Sequence, residues 1–134
     1  MERFLGRYEP YFYALLRIVS GFMFLLHGTQ KLFAAPPPAQ PMPGGTFITV
    51  TGVLELVFGV LILIGFQAGY AGFLASGMMA VAYFMAHQPA GALPIQNGGE
   101  LAALYCFVFL YIASRGSGAL SVDSAMRGGA GDRT

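Results

Sequence analysis

Long apolar segments, separated by short stretches rich in polar residues, proline or glycine, dominate the chain. They cover residues 11–33, 47–66, 70–87 and 99–115. About 20 apolar residues in a helix cross the roughly 30 Å hydrocarbon core of a bilayer. The pattern therefore predicts an all-α integral membrane protein, a four-helix bundle built by one domain over residues 1–134. The tail, residues 116–134, is expected to be partly disordered because its end is rich in glycine.

Proline and glycine mark the connections between these segments. The run Pro36-Pro37-Pro38, with Pro41 and Pro43, ends the first helix because proline lacks the amide hydrogen that a helix needs. Gln67-Ala68-Gly69 is so short a connection that the second and third helices are expected to be antiparallel neighbours.

Composition and charge support a membrane protein with both termini in the cytoplasm. The chain is 56% hydrophobic and 10% charged, against about 25% charged in soluble domains. Loops 34–46 and 88–98 contain no lysine or arginine. The basic residues that flank the first and last segments are Arg3, Arg7, Arg115, Arg127 and Arg133. Positive charge near span ends indicates the cytoplasmic side, so a multi-pass protein of the inner (cytoplasmic) membrane is expected.

The first segment also has some features of a signal peptide, because Arg3 and Arg7 precede an apolar run that ends near Ala34-Ala35. The apolar run is longer than the apolar region of a usual signal peptide. His27, Gln30 and Lys31 also lie where a signal peptide has small, neutral residues before its cleavage site. A membrane span is therefore the preferred interpretation.

Small residues recur at helical spacing in three segments: Gly21 and Gly28, Gly52 and Gly59, and Gly72, Ser76 and Ala80. Such rows let helix backbones approach closely. Packing within the bundle is favoured over a homo-oligomer interface, which stays an alternative.

Arg17 and Glu55 are charged residues well inside apolar segments, where an unpaired charge is expensive. Counting residues from opposite membrane surfaces places both near the same depth. We therefore predict an intramembrane Arg17–Glu55 pair, which either fixes helix register or takes part in function.

A second polar group is expected at the outer ends of the helices. Its members are His27, Gln30 and Lys31 of the first segment, and His87, Gln88 and Glu100 around the third and fourth. Because histidine titrates near neutral pH and a carboxylate accepts protons, the group could bind a quinone head group, pass protons or position an anion. A wetted membrane interface is the plainer explanation.

Other cofactors and partners have little support. Histidines on two helices could be axial haem ligands, but no CxxCH motif is present. No tight ligand spacing indicates a metal site. Cys106 is the sole cysteine, which excludes intrinsic dithiol exchange and favours a small core residue. No basic patch suggests nucleic-acid binding.

The sequence resembles the DoxX family of small four-helix membrane proteins over nearly its whole length. The matching motifs are Leu16-Arg17, His27-Gly28-Thr29-Gln30-Lys31-Leu32-Phe33, Gly52-Val53-Leu54-Glu55 with Gly59, His87, Asn97-Gly98-Gly99-Glu100-Leu101-Ala102, and the glycine-rich segment 116–123. The resemblance implies an inner-membrane protein linked to redox work, since the family takes its name from a thiosulfate:quinone oxidoreductase subunit. It also marks Arg17, His27, Gln30, Lys31, Glu55, His87 and Glu100 as the characteristic positions.

The leading hypothesis is a component of a membrane redox system that handles a quinone-like molecule and protons, for example as a membrane subunit of an oxidoreductase. His27 and Glu100 would be the catalytic proton carriers, and Gln30, Lys31 and His87 would bind the substrate. A redox partner subunit would exchange the electrons. The alternatives are a non-catalytic scaffold or assembly partner, and a small transporter that uses the intramembrane pair as a gate.

Overall fold

Every regular element in residues 3–129, the part of the chain that the computed structural model describes, is helical. The predicted all-α class is therefore confirmed for this part. The chain divides into two compact units, one formed by the residues up to Gln67 together with those from Ser117 onward, and the other by Ala68–Gly116.

The first unit is built on two long helices, α1 (Glu9–Phe33) and α2 (Thr46–Ile64). A 3-10 turn, Gly6–Tyr8, precedes α1. Ala34 ends α1 in the left-handed conformation, with its amide donating to the Gln30 carbonyl at 3.0 Å. Gly65, at φ 72°, ends α2 in the same way.

Glycines let α1 and α2 pack with their backbones in contact. A Cβ added to Gly21 would lie 2.6 Å from the Leu63 nitrogen, and one added to Gly28 would lie 2.6 Å from the Leu56 nitrogen. A Cβ on Gly59 would meet the Leu25 nitrogen at 2.6 Å. The heptad glycines thus serve packing within the chain, which is the interpretation that the sequence favours.

The C-terminal segment of the first unit is fastened to the end of α2. Asp123, in the short helix α6 (Val122–Gly129), donates its amide to the Gly65 carbonyl at 3.0 Å. Its Oδ2 accepts from the Gln67 amide at 2.9 Å and from the Ser117 hydroxyl at 2.7 Å. Residues 117–129 are thus folded, whereas the rest of the tail expected to be disordered lies outside the described residues.

The second unit packs α3 (Ala68–Ala82) against α5 (Glu100–Arg115). The Ser76 hydroxyl donates to the Cys106 carbonyl at 2.7 Å, and a Cβ on Gly72 would lie 2.9 Å from the Phe109 carbonyl oxygen. A π-helical turn (Tyr83–His87), a 3-10 turn (Gln88–Ala90) and the four-residue α4 (Pro94–Asn97) connect the two helices.

Three helical stretches in the described residues are long and apolar enough to cross a membrane: Gly6–Phe33, Thr46–Ile64 and Ala68–Ala90. Large apolar side chains such as Phe22, Val57 and Phe107 are exposed, whereas the polar side chains of Arg17 and Glu55 are buried. This distribution is typical of a protein that faces lipid, and the protein is a membrane protein with several apolar helices.

Candidate functional site

Arg17, on α1, is completely buried, and its guanidinium bonds to backbone carbonyls. Each of the five N–H donors of an arginine finds an acceptor here. The acceptors are the last carbonyls of α2 and those of the C-terminal segment: Ile62 at 3.0 Å, Leu63 at 3.5 Å, Ala119 at 2.9 Å, Leu120 at 2.8 Å, and Ser117. Arg17 therefore joins three separate stretches of the first unit.

Glu55, on α2, is 3% exposed and pairs with Lys31 of α1 instead of Arg17. The Lys31 ammonium donates to Glu55 Oε1 at 2.6 Å. The other carboxylate oxygen, Oε2, is buried and has no hydrogen-bond partner among the described residues. A carboxylate in apolar surroundings is thus only half satisfied, which is expensive unless a proton or a donor reaches the second oxygen.

The predicted Arg17–Glu55 pair is not formed, and the register of α1 on α2 explains why. Gly21 lies against Leu63 and Gly28 against Leu56, so the turn of α1 that carries Arg17 lies beside the end of α2. Leu63 is eight residues beyond Glu55, about 12 Å along the helix at 1.5 Å per residue. Lys31, one turn after Gly28, is the cation within reach of Glu55.

Two cavities of the first unit border this part of α1. The larger, of about 360 Å³, is lined by Lys31 and Gln30 of α1, by the loop that follows, and by Ile48 and Thr49 of α2. The smaller, of about 220 Å³, is lined by Met23, Leu26, His27, Gln30 and Pro36. The Gln30 amide donates to the Pro36 carbonyl at 3.1 Å, which fixes the side chain between the two cavities. His27, Gln30 and Lys31 are therefore brought together.

In the second unit, Asn97 organises the connection between α3 and α5. Its amide donates to the Tyr83 hydroxyl and to the Gly91 carbonyl, both at 3.1 Å, and its carbonyl oxygen accepts from the Gly99 amide at 2.8 Å. His87 Nδ1 lies 3.3 Å from a different atom, the backbone carbonyl oxygen of Asn97. Asn97 thus joins the π-helical turn, which carries Tyr83 and His87, to the start of α5.

Comparison with known proteins shows to which protein family the chain is related. The DoxX family model matches residues 12–88, more than half of the chain. The chain belongs to the DoxX family. A protein of Haemophilus influenzae, described only as uncharacterized, is 41% identical over 126 residues, which is 90% of this chain and 94% of that protein. No solved structure matches the chain.

The matched region of this DoxX protein contains most of the predicted site residues. It includes α1 from Phe12 to its end, all of α2 and α3, and His87. Glu100 lies beyond it, exposed in the first turn of α5. The expectation that His87 and Glu100 share one site with the α1 residues stays a prediction.

Sequence reasoning missed the Lys31–Glu55 pair and the roles of Tyr83 and Asn97 in this DoxX protein. The signal for the pair was present in the two glycine rows, because they interdigitate, and with Gly28 against Leu56 and Gly52 against Lys31 the Lys31 side chain lies next to Glu55. The signal for Asn97 was weaker, namely an asparagine before two glycines. Within residues 3–129 no group of three or more His, Cys, Asp or Glu side chains is placed to hold a metal ion.

Proposed function

We propose that this DoxX protein is a multi-pass protein of the cytoplasmic membrane that serves a redox system by binding a quinone-like molecule and handling protons. The proposed topology has four membrane-crossing helices, the fourth being α5, with both termini in the cytoplasm. The arginines near both termini support this orientation. A partner subunit exchanges electrons with the bound molecule.

The observation that carries the proposal is the buried, half-satisfied carboxylate of Glu55 beside Lys31. Intramembrane charges are retained where they serve transport, proton transfer or ligand binding. Glu55 Oε1 is held by Lys31, whereas Oε2 is left to take up a proton. His27, one turn before Lys31 on α1, is the second proton carrier of the proposed site.

The larger cavity suits the head group of a quinone-like molecule. Ligand pockets combine apolar walls with a few polar groups and commonly enclose about 300–1,000 Å³. Here Leu32, Phe33, Met42 and Ile48 supply apolar walls within about 360 Å³. An ammonium has three donors, so Lys31 can hold Glu55 and still donate to a ring oxygen of the ligand.

Binding of a short-chain ubiquinone analogue to the purified protein in detergent, measured by calorimetry, tests the proposal. Lys31→Met is expected to weaken binding tenfold or more, because a hydrogen bond to a charged group contributes about 1.5–3 kcal/mol. Glu55→Gln is expected to abolish the proton uptake that accompanies binding. Arg3→Met and Glu9→Gln are matched controls at exposed positions. A folded wild type that does not bind, or a Lys31→Met variant that binds equally well, contradicts the proposal.

A second function, that of a non-catalytic scaffold or assembly partner, is supported by Arg17. Its buried guanidinium is used entirely in joining α1, α2 and the C-terminal segment. Affinity capture from membranes separates the two functions. The capture is run beside the quinone-binding assay: a scaffold captures membrane partners while its wild type binds no quinone, whereas a redox subunit binds quinone and loses that binding when Lys31 and Glu55 are both replaced by Met.

A further inference from the structure

Helix α6 has one apolar and one polar face. Val122, Ala125 and Met126 follow the i, i+3, i+4 spacing of a single face, and Asp123, Ser124 and Arg127 occupy the other. Met126 is 60% exposed, and Leu120, just before the helix, is 63% exposed. The apolar face therefore points away from the rest of its unit.

The hydrogen bonds of Asp123 hold the start of α6 at the end of α2. They tie the start of the helix to Gly65 and Gln67, directly after the candidate span Thr46–Ile64. Helix α6 is thus held where a candidate membrane span ends, the level at which hydrocarbon gives way to water.

The same end of the first unit is basic. The start of α1 lies beside the end of α2, since Arg17 bonds to the last carbonyls of α2. Arg3 and Arg7 are therefore at this end, together with Arg127 of α6. The carboxylate of Asp123 is already engaged by Gln67 and Ser117. Phe4, 85% exposed, adds an apolar aromatic side chain of the kind found on membrane-binding segments.

We propose that α6 and Leu120 form an interfacial segment that inserts its apolar face into the bilayer and binds anionic phospholipid head groups through Arg127. Amphipathic helices with basic residues bind membranes through buried apolar area and attraction to anionic lipids. Each basic side chain near such a surface contributes to that attraction. The occupant of the exposed face is the surface of the surrounding bilayer.

Site-directed spin labelling tests this inference. Cys106→Ser removes the one cysteine of the chain, and single cysteines are then placed at Met126 on the apolar face or Ser124 on the polar face. The labelled proteins are reconstituted in phosphatidylcholine vesicles with or without phosphatidylglycerol. Collisions with oxygen report lipid contact, and collisions with a water-soluble nickel chelate report water.

The Met126 label is expected to favour oxygen and the Ser124 label nickel, with the difference growing severalfold when phosphatidylglycerol is added. Arg127→Gln is expected to remove that dependence on phosphatidylglycerol. Equal water contact at both positions overturns the inference. Insertion that does not depend on lipid charge overturns the recognition of anionic head groups. If the spectra show spin–spin broadening, and if dilution with unlabelled protein removes it, the face contacts a second copy of the chain instead.

Discussion

Arg17, which is buried, and Lys31, which is half-buried, lie on the same helix and have different kinds of partner. Arginine, with a flat fork of five donors, bonds to carbonyls at the end of α2 and in the C-terminal segment. Lysine, a point charge, pairs with one carboxylate oxygen. The first arrangement is complete, whereas the second leaves Glu55 Oε2 open. The chemistry of the protein is therefore expected at Lys31 and not at Arg17.

Arg17→Lys is expected to lower the free energy of unfolding by about 3 kcal/mol or more, because each buried carbonyl left without a donor costs about 1–3 kcal/mol. A single ammonium cannot reach both the end of α2 and the C-terminal segment. Thermal unfolding in detergent measures the loss, and proteolysis after residue 115 reports release of the segment. Arg3→Lys, at an exposed position, is the control. An unchanged melting temperature and protease pattern would show that the carbonyl bonds are dispensable.

Lys31→Met is expected to be more destabilising than the double variant Lys31→Met with Glu55→Met. Removing one partner of a buried pair leaves an uncompensated charge and costs about 3–5 kcal/mol, whereas an apolar pair is often neutral. Partial exposure of Lys31 at 22% reduces the single-variant cost. A double-mutant cycle on unfolding in detergent measures the coupling. Additive effects would mean that the pair contributes nothing to stability.

At the residue scale, the sequence singled out the charged residues within the apolar helices but did not predict how they pair. Charge in apolar segments singled out Arg17, Lys31 and Glu55 directly. The pairing was wrong because depth counted from the membrane surface carries an error of several residues. The packed glycines define the register of α1 on α2 to within one turn, and they are therefore the better guide to which side chains pair.

At the scale of elements, the small residues at helix contacts determine how closely the helices approach. Gly28 meets the backbone of α2, whereas Gly77 of α3 has open space where a Cβ would stand. A glycine is thus required for close helix packing in α1 but not at position 77 of α3. The difference can be tested by adding one methyl group at each position.

Gly28→Ala is expected to cost about 1–3 kcal/mol, because the added methyl would force α1 away from α2. Gly77→Ala is expected to be neutral or to stabilise by up to about 1 kcal/mol, since alanine is the better helix former. Melting temperatures of the two variants in the same detergent give the comparison. Equal loss at both positions would contradict the close contact of α1 with α2.

Asn97→Ala is expected to loosen the connection between α3 and α5 without unfolding the helices. The substitution removes the bonds to the Tyr83 hydroxyl, the Gly91 carbonyl and the Gly99 amide. Hydrogen exchange should therefore become faster across residues 83–99 and stay unchanged in α1 and α2. Gln88→Ala, an exposed side chain in the same connection, is the control. Unchanged hydrogen exchange in residues 83–99 would show that Asn97 does not hold this connection together.

The long elements could be predicted from the sequence and the short ones could not. Helix α1 ends at Phe33 and α2 begins at Thr46, where the proline-rich loop requires it. The π-helical turn and the four-residue α4 depend on the side chain of Asn97, which periodicity does not register. Helix α6 lies in a segment whose glycines favour disorder, and the bonds of Asp123 and Arg17 hold the start of that segment in place.

At the scale of the whole molecule, the charge pattern makes orientation in the membrane testable. Single cysteines are introduced on a Cys106→Ser background at Ala39, in the loop between α1 and α2, and at Gly128, in α6, both exposed. Because arginines cluster near both termini, a membrane-impermeant maleimide is expected to label Ala39→Cys in intact cells. It should label Gly128→Cys only after the membrane is opened. Labelling of Gly128→Cys in intact cells would reverse the orientation and move the Lys31 cavity to the cytoplasmic side.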